Sequence, residues 1–286
     1  MTNATVSMSR LARGSKRRSL PHMENESFVR LGVFLGLFAL LALIETLAPR
    51  RVRTQTRKAR WVTNWGFTFI NTVALNAMAF ALPLLAVGAA IDAQTQGWGL
   101  FNALSLPIWL EVVLVILILD FSIWLQHLIT HKVPLLWRLH QVHHADVDID
   151  VSTAIRFHPI EIALSMFLKI GLVYLLGPAA FAVILFEVIL NGTAMFNHAN
   201  IRLPLVIDAV VRRVLVTPDM HRVHHSTHRH EHDSNYGFSL SIWDQMFGTY
   251  IAQPSEGHDK MDIGLRWQDA RPSRFGWSLK LPFTNK

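Results

Sequence analysis

Cysteine is absent from this chain of 286 residues. Without thiols the chain cannot form a disulfide, hold an iron–sulfur cluster or bind zinc through thiolates. Any redox chemistry must therefore use histidine-bound metal or a separate partner protein. The absence leaves the cellular compartment open.

Charged residues are also scarce, since they make up 16% of the chain whereas hydrophobic residues make up 51% and the mean hydropathy is +0.29. The hydrophobic fraction and the mean hydropathy are higher than those of soluble domains. Gly177 and Pro178 predict a tight turn between two apolar stretches. We therefore expect an all-α, polytopic membrane bundle of about four or five membrane helices arranged in hairpins. The apolar stretches are 28–47, 61–91, 106–128, 160–176 and 179–196.

Basic residues lie next to the first apolar stretch and contribute to a net charge of +7. Such clusters indicate the cytoplasmic side of a membrane and anionic lipid. Nucleic acid is not expected as a partner, because no recognition motif accompanies them. They are Arg10, Arg13, Lys16, Arg17 and Arg18 before the stretch, and Arg50, Arg51, Arg53, Arg57, Lys58 and Arg60 after it.

The loop 91–106 and the turn at Gly177 and Pro178 contain no Lys or Arg, which predicts that both lie on the non-cytoplasmic side. The histidine boxes described next would then face the cytoplasm. The membrane would be the cell inner membrane in a bacterium or the endoplasmic reticulum in a eukaryote. One conflict remains: if 28–47 crosses fully, the basic N-terminal tail lies outside, so either that segment is re-entrant or the downstream cluster dominates.

Three compact histidine boxes dominate the second half of the chain. Side chains three or four residues apart on a helix share one face, close enough for neighbouring rings to share a metal. Eight imidazoles exceed what one tetrahedral zinc binds, and a set without thiolates suits a pair of borderline metals, with iron the first candidate for oxygen chemistry. The boxes are HLITH (His127, His131), HQVHH (His140, His143, His144) and HRVHH (His221, His224, His225).

This pattern resembles the fatty acid hydroxylase and sterol desaturase superfamily of integral-membrane, histidine-box diiron oxygenases. The match covers about 120–250. Besides the boxes, it includes Leu136, Trp137 and Arg138; Arg156, His158, Pro159 and Glu161; Asn197 to Asn200; and Asn235, Tyr236, Gly237, Trp243, Asp244, Phe247, Gly248 and Thr249.

The resemblance implies a dinuclear site of nine or ten histidines. Some relatives have a further HxxxH that ends at the position of His198, but here the residue four earlier is Ala194. We expect His158 to fill that vacancy or to hydrogen-bond a ligand; the alternative is that it caps the helix beginning near Pro159. The expected ligands are His127, His131, His140, His143, His144, His198, His221, His224 and His225, with His158 as the tenth.

Two further predictions concern residues near the boxes. Asp120 precedes His127 by seven residues on nearly the same helical face, so it either supports a ligand or faces the substrate, or is a purely structural carboxylate. His228, His230 and His232 lie in a polar segment and are expected to be solvated.

Four regions are predicted: 1–27 as a basic, flexible tail, 28–119 as N-terminal membrane helices, 120–250 as a catalytic domain of the fatty acid hydroxylase type that includes the membrane hairpin 160–196, and 251–286 as a C-terminal tail. The histidine-rich part is expected to form a helical cap on the cytoplasmic side.

The resemblance implies O2-dependent hydroxylation of a C–H bond in a membrane lipid, with two iron ions as cofactors and an apolar slot for the substrate. No flavin fingerprint or cytochrome b5 motif is present, so NAD(P)H would act indirectly, through a separate ferredoxin or cytochrome with its reductase. A lipid or sterol desaturase using the same centre is the alternative. A metal transporter is the competitor from another class, but its ligands should lie at mid-membrane. A zinc hydrolase would need a carboxylate base such as that of HExxH, which is missing.

Overall fold

The computed structural model of the protein describes residues 26–81, 85–267 and 269–284. This part is helical, with isolated β-bridges and no strand, so the predicted all-α class is confirmed. The predicted basic tail 1–27 lies outside the described residues except for its last two, which begin α1. The α-helices are α1 Glu26–Leu47, α2 Arg57–Ala81, α3 Ala86–Gln96, α4 Leu100–Ala103, α5 Ile108–Lys132, α6 Pro134–His144, α7 Pro159–Leu176, α8 Ala180–His198, α9 Leu205–Val211, α10 Pro218–His224, α11 Arg229–His232, α12 Ile242–Met246 and α13 Phe275–Lys280; short 3-10 turns cover Val151–Ile155, Arg271–Ser273 and Leu281–Phe283.

Four of the described helices are long and apolar enough to cross a membrane. They are α1 over Phe28–Leu47, α5, α7 and α8, and they make the chain a multi-pass membrane protein. The predicted stretch 61–91 is not a single apolar helix. It is divided between α2 and α3, and asparagine and threonine side chains recur along α2.

The ends of these helices define two ends of the bundle. At the histidine end, α5 and α8 finish at Lys132 and His198 and α7 begins. At the opposite end, α7 stops at Gly177, whose left-handed backbone (φ 60°) makes the predicted tight turn. A Cβ at Gly177 would lie 2.1 Å from the carbonyl oxygen of Trp98, so only glycine fits this close approach.

Small residues let α3 pack tightly against the α7–α8 hairpin. Ala86, Ala89 and Ala90 of α3 are buried against Val173, Ala180 and Val183. Such contacts are the usual means of helix association where lipid removes the hydrophobic driving force. The hairpin 160–196 is therefore held on the side of α3 as well as on the side of α5.

The helix α1 is continuous over Glu26–Leu47 and reaches the histidine end. Glu45, in its last turn, accepts hydrogen bonds from the backbone N–H groups of Val151 (2.7 Å) and Asn200 (2.8 Å). These contacts fix the end of α1 to the segments that follow α6 and α8.

A buried ion-pair network holds the irregular segment after α6. The Arg60 guanidinium binds both oxygens of Asp146 (2.6 and 2.8 Å) and one oxygen of Asp150 (2.6 Å). Burial alone would raise the pKa of Asp146, but Arg60 holds that pKa well below its ordinary value. The carboxylate therefore stays ionised, and the start of α2 is tied to the histidine end.

The segment predicted as a C-terminal tail, 251–286, folds over the histidine end in its described part. Met261 and Leu281 are fully buried. The backbone N–H of Gly264 donates to the His225 carbonyl (2.9 Å), and Arg138 Nε donates to the Pro282 carbonyl (2.6 Å). This segment therefore covers α6 and α10.

Replacement of Arg60 tests the network. Arg60→Met leaves two buried carboxylates without their cation, which should cost about 3–5 kcal/mol of unfolding free energy. Thermal melts of the detergent-purified protein measure the loss. Lys58→Met is the matched control, because Lys58 lies in the same helical turn and is exposed. Equal melting temperatures for the two variants would contradict the assigned role.

Candidate metal centre

Nine of the predicted histidines come together at the histidine end, and all nine are buried. Four helices position them: α5 carries His127 and His131 in its last two turns, α6 carries the second box, α8 ends at His198, and α10 carries His221 and His224 and is followed directly by His225. Because α5 and α8 finish here while α6 and α10 begin and end here, their side chains converge at this end of the bundle.

The nine rings form two adjoining groups, in each of which donor nitrogens lie within 4.8 Å of one another. Neighbouring residues within a box belong to different groups, as His143 and His144 do. Adjacent side chains on a helix point about 100° apart, which explains the division. The first group is His127, His131, His140, His144 and His224; the second is His143, His198, His221 and His225.

Backbone carbonyls and one carboxylate fix the orientation of five rings. The Nδ1 atom of each ring lies against an oxygen that can only accept a hydrogen bond, so Nδ1 carries the proton and Nε2 carries a lone pair. The contacts join His127 to the Tyr236 carbonyl (2.7 Å), His140 to Glu161 Oε1 (2.6 Å), His143 to the Arg156 carbonyl (3.3 Å), His198 to the Ala194 carbonyl (2.7 Å) and His224 to the Ser234 carbonyl (2.7 Å).

This orientation brings lone pairs face to face. The Nε2 atoms of His127 and His140 are 3.0 Å apart in the first group, and those of His143 and His198 are 3.1 Å apart in the second. Two such nitrogens cannot hydrogen-bond to each other, because neither has a proton to donate. A cation shared by both nitrogens removes the repulsion, so the donor set fits a metal ion in each group.

The remaining rings support the same conclusion. Among the described residues, neither ring nitrogen of His144 or His225 has a hydrogen-bond partner, although both residues are buried. Burial and the neighbouring imidazoles lower the pKa of His144, His221 and His225 well below its ordinary value. These rings are therefore neutral, the form that binds metals.

Two aspartates hold the segment that closes the site. Asp244 accepts hydrogen bonds from Trp124 Nε1 (3.0 Å) and from the backbone N–H of Tyr236 (2.9 Å), the residue whose carbonyl orients His127. Asp120 accepts from Trp243 Nε1 (2.9 Å) and from the N–H of Leu240 (3.2 Å). Asp120 thus supports the closing segment. It is not among the described residues that line the cavity.

His158 lies outside both groups. Its Nδ1 accepts a hydrogen bond from the N–H of Ile160 (3.3 Å), and its Nε2 lies 3.2 Å from the Leu279 carbonyl. The ring therefore caps α7, which was the alternative expectation for His158. It also contacts the C-terminal segment. Within the described chain the second group thus has four members, and no histidine takes the place of Ala194.

A third, half-buried group includes His131, His232 and Asp233. His232 stacks on Trp137 with ring centroids 5.3 Å apart, so the prediction that it is solvated is wrong, whereas His230 is exposed as expected. The sequence pattern gave no signal for His232, because it lies outside every box.

A cavity of about 700 Å³ lies directly below the first group. His127, His140 and Ala194 line it at the histidine end, and Lys169 and Glu187 line it deeper in the bundle. Although nearly half of the lining residues are polar or charged, most of the surface that lines the cavity is apolar. Phe238 and Ile123 are among the apolar ones.

Residues 112–249 match the family described as Fatty acid hydroxylase. The chain carries a fatty acid hydroxylase domain. It is 28% identical over 260 residues to an ornithine lipid hydroxylase of Rhizobium tropici, covering 89% of this chain and 75% of that protein. It is 31% identical over 151 residues to the alkylglycerol monooxygenase of Homo sapiens, covering 51% of this chain and 31% of that protein. It is 30% identical over 201 residues to the alkylglycerol monooxygenase of Danio rerio, covering 69% of this chain and 43% of that protein.

The chain thus spans three quarters of the first relative but less than half the length of the alkylglycerol monooxygenases. No solved structure gives a significant match. The resemblance to the hydroxylase and desaturase superfamily is confirmed.

Glu161 belongs to the matched motif, and its contact with His140 gives it a testable role. Glu161→Ala removes the carboxylate that orients the ring, so we expect metal affinity to fall about 10–100-fold. Competition with a chelator measures the change. The metal affinity of Glu161→Gln should lie between those of the wild type and Glu161→Ala, because glutamine keeps an acceptor oxygen. Glu256→Ala, at a half-exposed acid, is the control. An unchanged affinity in Glu161→Ala would disprove the role.

Proposed function

We propose that this protein hydroxylates a C–H bond of a membrane lipid with O2, at two iron ions held by nine histidines. The observation that carries the proposal is the pair of adjoining, buried, all-imidazole groups whose lone pairs converge above a substrate-sized cavity. The names of the relatives, which include a lipid hydroxylase and monooxygenases, support the same reaction.

In this proposal each histidine group binds one ion, and His158 is not a ligand. Imidazole-rich sites without thiolates suit iron, which supplies the reductive activation of O2 that insertion into a C–H bond needs. The chain's own residues orient the ligands through Glu161 and the backbone carbonyls, and they exclude water by burial. Overall, substrate, O2, two electrons and two protons give the hydroxylated lipid and water.

The two electrons would come from a separate carrier, a ferredoxin or a cytochrome with a reductase that oxidises NAD(P)H. Lys132 and Arg229, whose side chains are 49% and 81% exposed, share the single carboxylate of Asp233 and so leave net positive charge at the histidine end. Such charge favours the approach of an acidic carrier.

Desaturation with the same centre is the second candidate, since removing a second hydrogen gives an alkene. The hydroxylase and monooxygenase names of the relatives favour hydroxylation. A metal transporter is disfavoured because the histidine groups lie at helix ends, whereas transport sites lie on broken helices at mid-membrane.

The proposed orientation places the histidine end in the cytoplasm. Arg50 and Arg60, from the basic cluster after α1, both contact residues at that end. Short basic loops are retained on the cytoplasmic side.

Histidine replacements test the function. His143→Ala and His224→Ala each remove one donor from a different group, so we expect loss of bound iron and of lipid oxidation without loss of membrane insertion. Elemental analysis of the purified protein measures iron, and mass spectrometry of lipids from cells grown with labelled O2 measures the product. His230→Ala, at an exposed histidine, is the control.

An oxidised lipid made by either variant at the normal level would refute the proposal. A product that lacks two hydrogens and contains no labelled oxygen would replace hydroxylation by desaturation.

The lack of native cysteine allows a direct test of orientation. Lys260→Cys places one thiol at the histidine end, and Gln96→Cys places one at the opposite end, both at exposed positions. A membrane-impermeant maleimide should label Gln96→Cys in intact cells and Lys260→Cys only after lysis. The reverse pattern would show that the histidine end faces outward.

A further inference from the structure

Helix α9 is short and apolar, yet most of it is exposed. Five of its seven residues are both apolar and exposed, and they are Leu205, Val206, Ile207, Ala209 and Val210. A helix that faces water presents polar side chains on its outer face. Contiguous apolar surface that is left exposed usually marks a contact with a partner. The outer face of α9 therefore indicates an apolar partner.

Helix α12 lies beside the end of α9 and continues this exposed apolar surface. The Ser241 N–H, at the start of α12, donates a hydrogen bond to the Val214 carbonyl just after α9 (3.0 Å). The exposed apolar side chains of α12 and the residue that follows it are Ile242, Met246 and Phe247. Two adjoining elements thus expose apolar side chains at the histidine end.

Aromatic contacts join α12 to the membrane-spanning helix α5. Phe247 stacks on Trp124 with ring centroids 4.8 Å apart, and its ring lies 5.8 Å from that of Phe121. Trp243 packs edge-on against Phe121, at 5.2 Å. Tryptophan is enriched where a membrane protein meets the lipid head groups. This aromatic cluster therefore fits the interface level of α5.

The outer side of the cluster adjoins the lipid-facing surface of α5. Leu117 and Leu125 lie one helical turn before and after Phe121, on the same face of α5, and both are exposed. Phe121 lies roughly 16 Å along the helix from its end at Lys132. Phe247 packs beside Phe121 and is itself 53% exposed. Lipid that covers Leu117 and Leu125 is thus next to Phe247.

Asp120 provides the hydrogen bonds that such a position requires. Its carboxylate accepts from Trp243 Nε1 (2.9 Å) and from the Leu240 N–H (3.2 Å). Backbone and indole N–H groups near hydrocarbon need a partner within the protein, because no water replaces it. A carboxylate within a membrane helix needs donors for the same reason. The contacts of Asp120 therefore suit a segment that lies at membrane depth.

The charges of α9 also suit a lipid surface. Its one acid, Asp208, is buried and pairs with Arg212, so the outer face of the helix carries no negative charge. Arg213 follows directly and is exposed. Arginine beside apolar surface reaches towards lipid phosphates and is attracted to anionic lipid. The segment thus combines an apolar face with a cation at its edge.

We propose that the exposed apolar side chains of α9 and α12 insert into the lipid leaflet at the histidine end, as an interfacial contact that does not span the membrane. The partner of this surface is the boundary between head groups and acyl chains, with Arg213 at the level of the phosphates. The contact holds the histidine end against the bilayer, and it requires no bound metal.

Nitroxide labels measure the depth of this surface. The chain has no native cysteine, so Val206→Cys, Val210→Cys and Met246→Cys each offer one thiol in the full-length protein. The labelled proteins are placed in bilayer discs of phosphatidylcholine and phosphatidylglycerol. EPR power saturation compares collisions with O2, which concentrates in hydrocarbon, and with a nickel chelate, which stays in water. Leu117→Cys is the lipid reference, and His230→Cys is the water reference.

We expect the three labels to favour O2 over the nickel chelate, which would place them roughly 5–10 Å below the phosphates. Labels as accessible to the nickel chelate as that of His230→Cys would overturn the proposal. Labels protected from both reagents would also overturn it, because they would show that a protein surface, such as a second copy of the chain, covers the two helices.

A charge pair tests whether the two helices enter the lipid together. Val206→Asp with Val210→Asp, in the Met246→Cys protein, should raise nickel access at the label because two carboxylates oppose insertion of α9. Gln253→Asp with Lys260→Asp is the matched control, at two exposed positions outside the surface. Equal nickel access in the two proteins would contradict a shared surface. Neither experiment uses turnover or metal binding, so the proposed function is tested separately.

Discussion

Convergence of neutral imidazole lone pairs is the constraint on which the rest of this structure depends. The facing Nε2 atoms of His127 and His140, and of His143 and His198, are held there by protonated Nδ1 atoms that point outward. Each buried polar group without a partner costs about 1–3 kcal/mol. Whole proteins are stable by only about 5–15 kcal/mol, so a bound ion that removes this cost would couple metal binding to folding at this end of the bundle.

The fold meets this constraint by fixing the residues that orient the histidine rings. Arg156 is fully buried and donates to the Val142 carbonyl (2.7 Å), to Asn64 Oδ1 (2.9 Å) and to Ser278 Oγ (2.9 Å), thereby joining α6, α2 and the C-terminal segment. Its own carbonyl orients His143. One arginine thus connects the position of a histidine to the packing of three distant parts of the chain.

The sequence predicts four of the membrane helices and the eight histidines of the three boxes, because both depend on local patterns, whereas His198 was expected only from the family resemblance. Helical geometry also explains why His143 and His144 belong to different groups. The outward partners of the rings were not predictable: the carbonyls of Ser234 and Tyr236 carry no side-chain signal, and their positions depend on the turn that Asp244 stabilises through the Tyr236 N–H. The sequence left His158 open as a ligand or a helix cap, because spacing alone does not separate the two, and its contact with the Ile160 N–H is that of a cap.

Ala194 connects the composition of the centre to the shape of the cavity. It lies one helical turn before His198, accepts the Nδ1–H of that ring through its carbonyl, and lines the cavity. Residues four apart on a helix share a face, so a histidine at this position would project towards the same region and take up part of the cavity. The residue that leaves this group with four members is therefore also the one that keeps the adjoining wall of the cavity open. In this chain the number of nitrogen donors and the room for a substrate depend on the same small side chain.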